Sequence, residues 1–174
     1  MQTSYKKEMI AGIEGGLVYE FMPEQVLSRV GTTDIPFGRF VSYGGADDKC
    51  QLPGVGTDIT GQGALLGISR RTQFIESAPV TNAQELSANY IAAIVPQYVA
   101  INVEKKGQIW MVTEQDATPT SSVYVRFQAN GAATPGTLGC VRVDNDGGKA
   151  ALAPNCRFLT SAKAWNLIAV DVDL

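Results

Sequence analysis

"LPGVGTDITGQGALLGIS", residues Leu52–Ser69, decides between two folds. The stretch is dense in glycine and opens with a G-x-G step, Gly54-Val55-Gly56. As a phosphate-cradling loop it would head an α/β nucleotide-binding domain. As a series of tight turns it would separate β-strands. A phosphate loop of the Walker type needs Lys and Ser or Thr after its last glycine, to reach the terminal phosphates and a magnesium ion. Here Gln62-Gly63-Ala64 stands instead. A dinucleotide fingerprint needs a strand before it, a helix after it and an acidic residue further on. Pro53 precedes the glycines, and the apolar run "ALLGIS", Ala64–Ser69, reads as a strand. Turns account for every glycine, because positive φ costs glycine little. Seven of the 18 glycines lie between Gly44 and Gly67, so this region is strand and turn.

The flanking sequence agrees. "FGRFVSY", Phe37–Tyr43, alternates and runs into Gly44-Gly45, a strand closed by a turn. "YVAINV" is expected to bury Val99, Ile101 and Val103, with Tyr98, Ala100 and Asn102 opposite. With "EKKG" as a charged turn and "QIWMVT" as the return, it predicts a hairpin over Tyr98–Thr113. "SVYVRF" places Val123, Val125 and Phe127 on one face, with Tyr124 and Arg126 on the other. "DNDGG", Asp144–Gly148, is a turn. The closing "WNLIAVDVDL" turns Ile168, Val170 and Val172 inward and Asn166 outward. Two stretches carry helical signals, and residues 76–96 hold the better candidate, with a partly irregular loop as its alternative. "PEQVLSRV", Pro23–Val30, carries a proline suited to a first turn, with Gly31 to end it. A second begins at Asn82, with Glu85 at capping-box spacing and Leu86, Tyr90, Ile91 and Ile94 on one face, and Pro96 stops it. The fold class is therefore mainly β, a compact barrel or sandwich of short strands with an extended N-terminal segment and one short helix. Residues 1–30 form the leading segment and residues 31–174 a single β-rich domain.

Composition narrows the function. The chain has 174 residues, a net charge of −3 and only 18% charged residues, against about 25% in typical soluble domains. A low charge density suits a surface that packs against partners. The basic doublets Lys6-Lys7, Arg70-Arg71 and Lys105-Lys106 are scattered and read as solvated surface. No basic face is expected, and hence no direct nucleic-acid partner. No apolar run reaches the ~18 residues of a membrane-spanning helix. The N-terminus lacks the apolar core of a secretory signal, which predicts synthesis and use in the cytoplasm.

The chain contains no histidine. Ser-His-Asp and Cys-His catalysis are thereby excluded within it, and the usual zinc sites lose their commonest nitrogen ligand. Cys50, Cys140 and Cys156 are far apart and read as small buried hydrophobes. Asp144 and Asp146 share the opening spacing of a calcium loop, but its twelfth position is Asn155 rather than Glu. Asp171 and Asp173 read as solvated charge, and Glu8, Glu14, Glu20 and Glu24 form no constellation. No enzyme and no cofactor are expected. The aromatics Tyr5, Tyr19, Phe21, Phe37, Phe40 and Tyr43 gather in the first quarter of the chain, as core or as anchors for another subunit.

From Gly63 to the C-terminus, "GALLGISRRTQ", "YVAINVEKKGQIWMVT", "SSVYVRF" and "CRFLTSAKAWNLIAVDVDL" follow one another in an order that resembles the structural cement, or head decoration, proteins of tailed bacteriophages. "IPFGRFVSYG" resembles an earlier segment of that family, whereas "FIESAPVTNAQELSANYIAAIVPQ" departs from it. The resemblance implies a β-rich protein, a dimer or trimer, on the outer surface of the virion's icosahedral head. There it would reinforce contacts between major capsid proteins and carry no catalytic residues. Tyr5, Met9, Ile10, Tyr19, Phe21 and Met22 are the expected contact residues toward the major capsid protein or a second copy. The rival expectation is a ligand- or carbohydrate-binding β-domain of a phage fibre or surface protein, with a cleft near Trp110 or Trp165.

Overall fold

The computed structural model describes residues 12–18, 25–54, 65–71, 94–129 and 138–174. Among the described residues eleven strands run in chain order: β1 (Gln25–Gly31), β2 (Ile35–Pro36), β3 (Phe40–Tyr43), β4 (Lys49–Gln51), β5 (Leu65–Arg70), β6 (Ile94–Val95), β7 (Ala100–Val112), β8 (Ser122–Arg126), β9 (Val141–Arg142), β10 (Ala150–Phe158) and β11 (Leu167–Asp173). Nine form one sheet in the order β1-β4-β3-β5-β7-β11-β10-β8-β9, and a further β1–β7 pairing closes its first five strands into a ring. β2 and β6 form a separate two-stranded sheet. The second half of the large sheet nearly closes as well. A bridge between Thr113 and Val141 brings β9 back to the chain leaving β7.

Two cores follow from this arrangement. Ile35, Phe37, Val41, Cys50, Leu66, Ile101 and Val103 fill the first. Ile109, Met111, Val123, Val125, Val141, Phe158, Ile168, Val170 and Val172 fill the second. Successive strand residues point to opposite faces, and β3 and β5 use this to serve both cores. Phe40, Leu65 and Ile68 face the second core while Val41 and Leu66 face the first. The inward set expected of β11 is realised, with Ile168, Val170 and Val172 all buried.

The expected hairpin over Tyr98–Thr113 is a single strand. β7 runs unbroken through "EKKG", pairing over Ala100–Lys106 with β1 and over Lys106–Val112 with β11. Its two halves have separate partners, so neither needs the other. Gly107 makes no turn here. It gives room to buried Glu104, whose Oε1 would lie 2.6 Å from a Cβ at that position. Gly67 on β5 allows the close approach of the β7 backbone, where a Cβ would meet the Glu104 carbonyl oxygen at 2.4 Å and Val103 Cγ1 at 2.7 Å. Glu104 is held by Arg70, at 3.3 Å.

The expected helix at 23–30 is also corrected. Gln25–Gly31 is strand β1, because pairing with β7 and β4 closes the ring. Of the second expected helix, residues 82–93 lie outside the described residues. Ile94 and Val95 are strand, paired with Pro36 and Ile35, which buries Val95 and leaves Ile94 exposed. Among the described residues the helical element is a 3-10 turn at Asp146–Gly148, inside the expected "DNDGG" turn. Of the glycine-rich stretch, residues 55–64 lie outside the described residues. Its end, Leu65–Arg70, is a strand, as the turn reading requires.

Cys50, Cys140 and Cys156 are free and buried. Burial pushes their thiols up to about 11, about 12 and about 12. Two outcomes follow. The thiols will react with a disulfide reagent only after unfolding, and reductant will leave the melting temperature unchanged. Gly67→Ala will meet backbone at a φ of +155°. It will cost about 2 kcal/mol or more and lower the melting temperature by about 4 °C or more, read by circular dichroism.

Candidate interaction surface

A strap of residues 12–18 lies along the second half of β7. Gly15 donates its N–H to the Trp110 carbonyl (2.8 Å), Trp110 donates to Gly16 (2.9 Å) and Val18 donates to Gln108 (2.9 Å). Gly12 sits against the Trp110 indole so closely that a Cβ would lie 2.1 Å from the ring. Glu14 is buried and pairs with Arg39 at 2.8 Å, a role that its sequence context does not signal. Arg39 in turn reaches Cys140 Sγ at 2.7 Å, so the strap is tied to both halves of the molecule. Arg70 and Arg71 are not solvated surface. Arg70 holds Glu104, while Arg71 lies over the Phe37 ring and donates from Nε to the Glu14 carbonyl at 3.3 Å.

The expected contact residues Tyr5, Met9, Ile10, Tyr19, Phe21 and Met22 all lie outside the described residues. In sequence they flank the strap on both sides. The other early aromatics divide. Phe37 and Phe40 are core, whereas Tyr43 is 42% exposed. The two tryptophans sit differently from one another. Trp110 is half-buried under Gly12, and Trp165 is exposed on the turn between β10 and β11, donating its N–H to the Thr113 carbonyl at 2.7 Å.

At the end of the second core, charge is used as internal glue. Arg126 and Arg142 both clamp buried Glu114, at 2.7 Å each. The same arginines hold the turn carboxylates, Arg126 to Asp146 at 2.8 Å and Arg142 to Asp144 at 2.6 Å. The aspartates with calcium-loop spacing thus face guanidinium groups. Hydrogen bonds from Gln115 and Arg142 hold the Asp144 carboxyl below its ordinary value, and the hydrogen bond from Arg126 does the same for Asp146. A carboxyl lowered in the folded state stabilises the fold above the unfolded value and loses that contribution as pH falls through the folded one. The melting temperature is therefore expected to drop as pH falls below about 4, and Asp144→Asn will shrink that drop while lowering stability at pH 7. An equal acid dependence in the variant would show that this turn carries none of it.

A sequence profile described as Structural cement protein (E217 gp24/Pam3 gp6) matches residues 1–173. A chain of "The capsid of Myoviridae Phage XM1" is similar in structure, with a TM-score of 0.62 at 18% identity over 99% of this chain and 97% of that one. A chain of "The crystal structure of head fiber gp8.5 N base in bacteriophage phi29" aligns with a TM-score of 0.42 at 11% identity, over 87% of this chain and 95% of that one. No curated protein sequence matches.

Proposed function

The chain belongs to the phage structural cement protein family, a set of structural capsid proteins, and we propose that it binds the outer surface of an icosahedral head and staples neighbouring major capsid proteins together. The observation that carries this reading is the family match, which runs through the strap as well as the barrel. Supporting it, ring closure pairs the strands of the first ring on both sides, so association falls to turns and to the N-terminal segment. Residues 1–11 precede the strap, and fully extended they reach at most about 36–40 Å. That length is enough to cross onto a neighbour, with Tyr5, Met9 and Ile10 on the way and Tyr19, Phe21 and Met22 just after the strap. The subunit works as a dimer or trimer, and its role is non-catalytic.

Binding the assembled lattice in preference to free capsid protein stabilises the lattice by mass action. At free concentrations a hundredfold above Kd, each occupied site contributes about 2.7 kcal/mol. Purified protein added to heads that lack it will decorate them saturably, and decorated heads will survive higher temperature than bare ones. Unassembled capsid protein will bind it more weakly. Deleting residues 1–11 will leave the melting temperature within error while retention on heads falls. The cut must stop short of Gly12, since Glu14 is buried against Arg39. No decoration, or decoration without heat resistance, would overturn the reading.

A further inference from the structure

One rim of the first ring carries a feature that the internal packing does not use. Tyr98 has φ of +65° and is 74% exposed. A bulky residue in the left-handed region is strained backbone. Asp146 and Trp165 share that conformation, Asp146 with its carboxylate engaged by Arg126 and Trp165 on the turn between β10 and β11, where among the described residues no exposed tyrosine or aspartate pair stands beside it. The Tyr98 turn is nevertheless fixed. Tyr98 donates its N–H to Gly31 (2.8 Å), Gly31 donates to Val99 (3.2 Å), and Val99 donates to Pro96 (3.2 Å). Gln97 donates its N–H to Asp34 Oδ1 (2.8 Å) and its amide to the Thr32 carbonyl (2.6 Å).

Tyr43 shares this rim. Tyr43 pairs with Cys50, Cys50 pairs with Gly31, and Gly31 bonds Val99, so one row crosses β3, β4, β1 and the start of β7. Strand spacing makes the row about 14 Å long, measured around the ring. Both tyrosines are exposed, and so is Val99, against the expectation that it is buried, because it precedes β7 and belongs to the turn. Around them stand exposed Asp47 and Asp48 on the β3–β4 turn and Asp34 beside Tyr98, with Lys49 as the cation of that turn.

We propose that this Tyr43–Tyr98 rim docks on the major capsid protein, in an apolar depression bordered by basic residues. The inference deepens the cement reading and rests on it. Tyrosines supply large contact area at the centre of interfaces, and a turn already ordered loses little freedom on binding. The three aspartates fix the sign of the partner's border and speed encounter at low salt.

The test uses the full-length chain and bare heads. Wild type will bind saturably, and more weakly as salt rises. Tyr98→Ala will weaken binding at least tenfold, and Tyr43→Ala with Tyr98→Ala will abolish it. Asp47→Lys with Asp48→Lys will weaken it at least fivefold at low salt and flatten the salt dependence. Tyr98→Gly relieves the backbone, so it will melt no lower than wild type while binding as weakly as Tyr98→Ala; this separates docking from folding. Trp165→Ala, on the other exposed turn, will bind as wild type. Equal binding by wild type and Tyr98→Ala overturns the rim assignment and leaves the cement reading standing. So does equal loss in Trp165→Ala. A fall in oligomer mass in Tyr98→Ala by light scattering would assign the rim to a second copy and overturn the proposal. If wild type itself fails to bind bare heads, the cement reading fails first.

Discussion

One strand, β7, has to serve two cores, and the buried carboxylate of Glu104 lies just before Lys106, where its partner changes. Before this point the strand belongs to the ring completed by β1; beyond it, to the sheet continued by β11. A buried acid is tolerable only if it is paired, and Arg70 supplies the partner from β5. The space for that acid comes from a missing side chain at Gly107, and a second missing side chain at Gly67 lets the β5 and β7 backbones close on each other beside it. The rest follows from this crossing. Two cores can exist because β7 feeds both, and β3 and β5 can turn a face to each because the cores lie on either side of them.

Internal ion pairs recur at the places where chain segments distant in sequence must meet. Glu14 with Arg39 fastens the strap, and Glu114 with Arg126 and Arg142 fastens the far end. Buried pairs of this kind add little net stability over apolar packing, but losing one partner costs about 3–5 kcal/mol. They act as register marks. Each loop has one place to go.

Much of the β character is legible in the sequence. "FVSY", "LLGIS", "SVYVR" and "LIAVDVD" alternate or run apolar as buried strands do, and the glycine clusters read as turns. Pairing is another matter. "EKKG" looks like a hairpin tip because charge and glycine usually mark solvent, and only the distant partners β1 and β11 reveal that it is mid-strand. "PEQVLSRV" has helical signals that ring closure overrides. The buried acids cannot be told from solvated ones in a single sequence, which shows the charge and not its partner 25 or 34 residues away. Of the interaction surface, Tyr98 is legible as the outward member of an alternating run. Its left-handed backbone, set by hydrogen bonds to Gly31 and by the Asp34 cap on Gln97, is not.

Ring closure also dictates the order in which this chain can fold. β1 leaves the ribosome early and has β4 soon after it, but finds its second partner only once β7 has been synthesised, and the strap waits longer still, for Trp110. The second core in turn waits for β11. The first ring can therefore close while the strands of the second core are still being made. Pairings between remote segments fold slowly, because loop closure comes before the contacts that reward it. Glu14, made well before the strands that cover it, stays unburied until Arg39 and its surroundings are in place. Maturation is thus timed by topology, with the shared strand β7 as the gate through which both halves must pass.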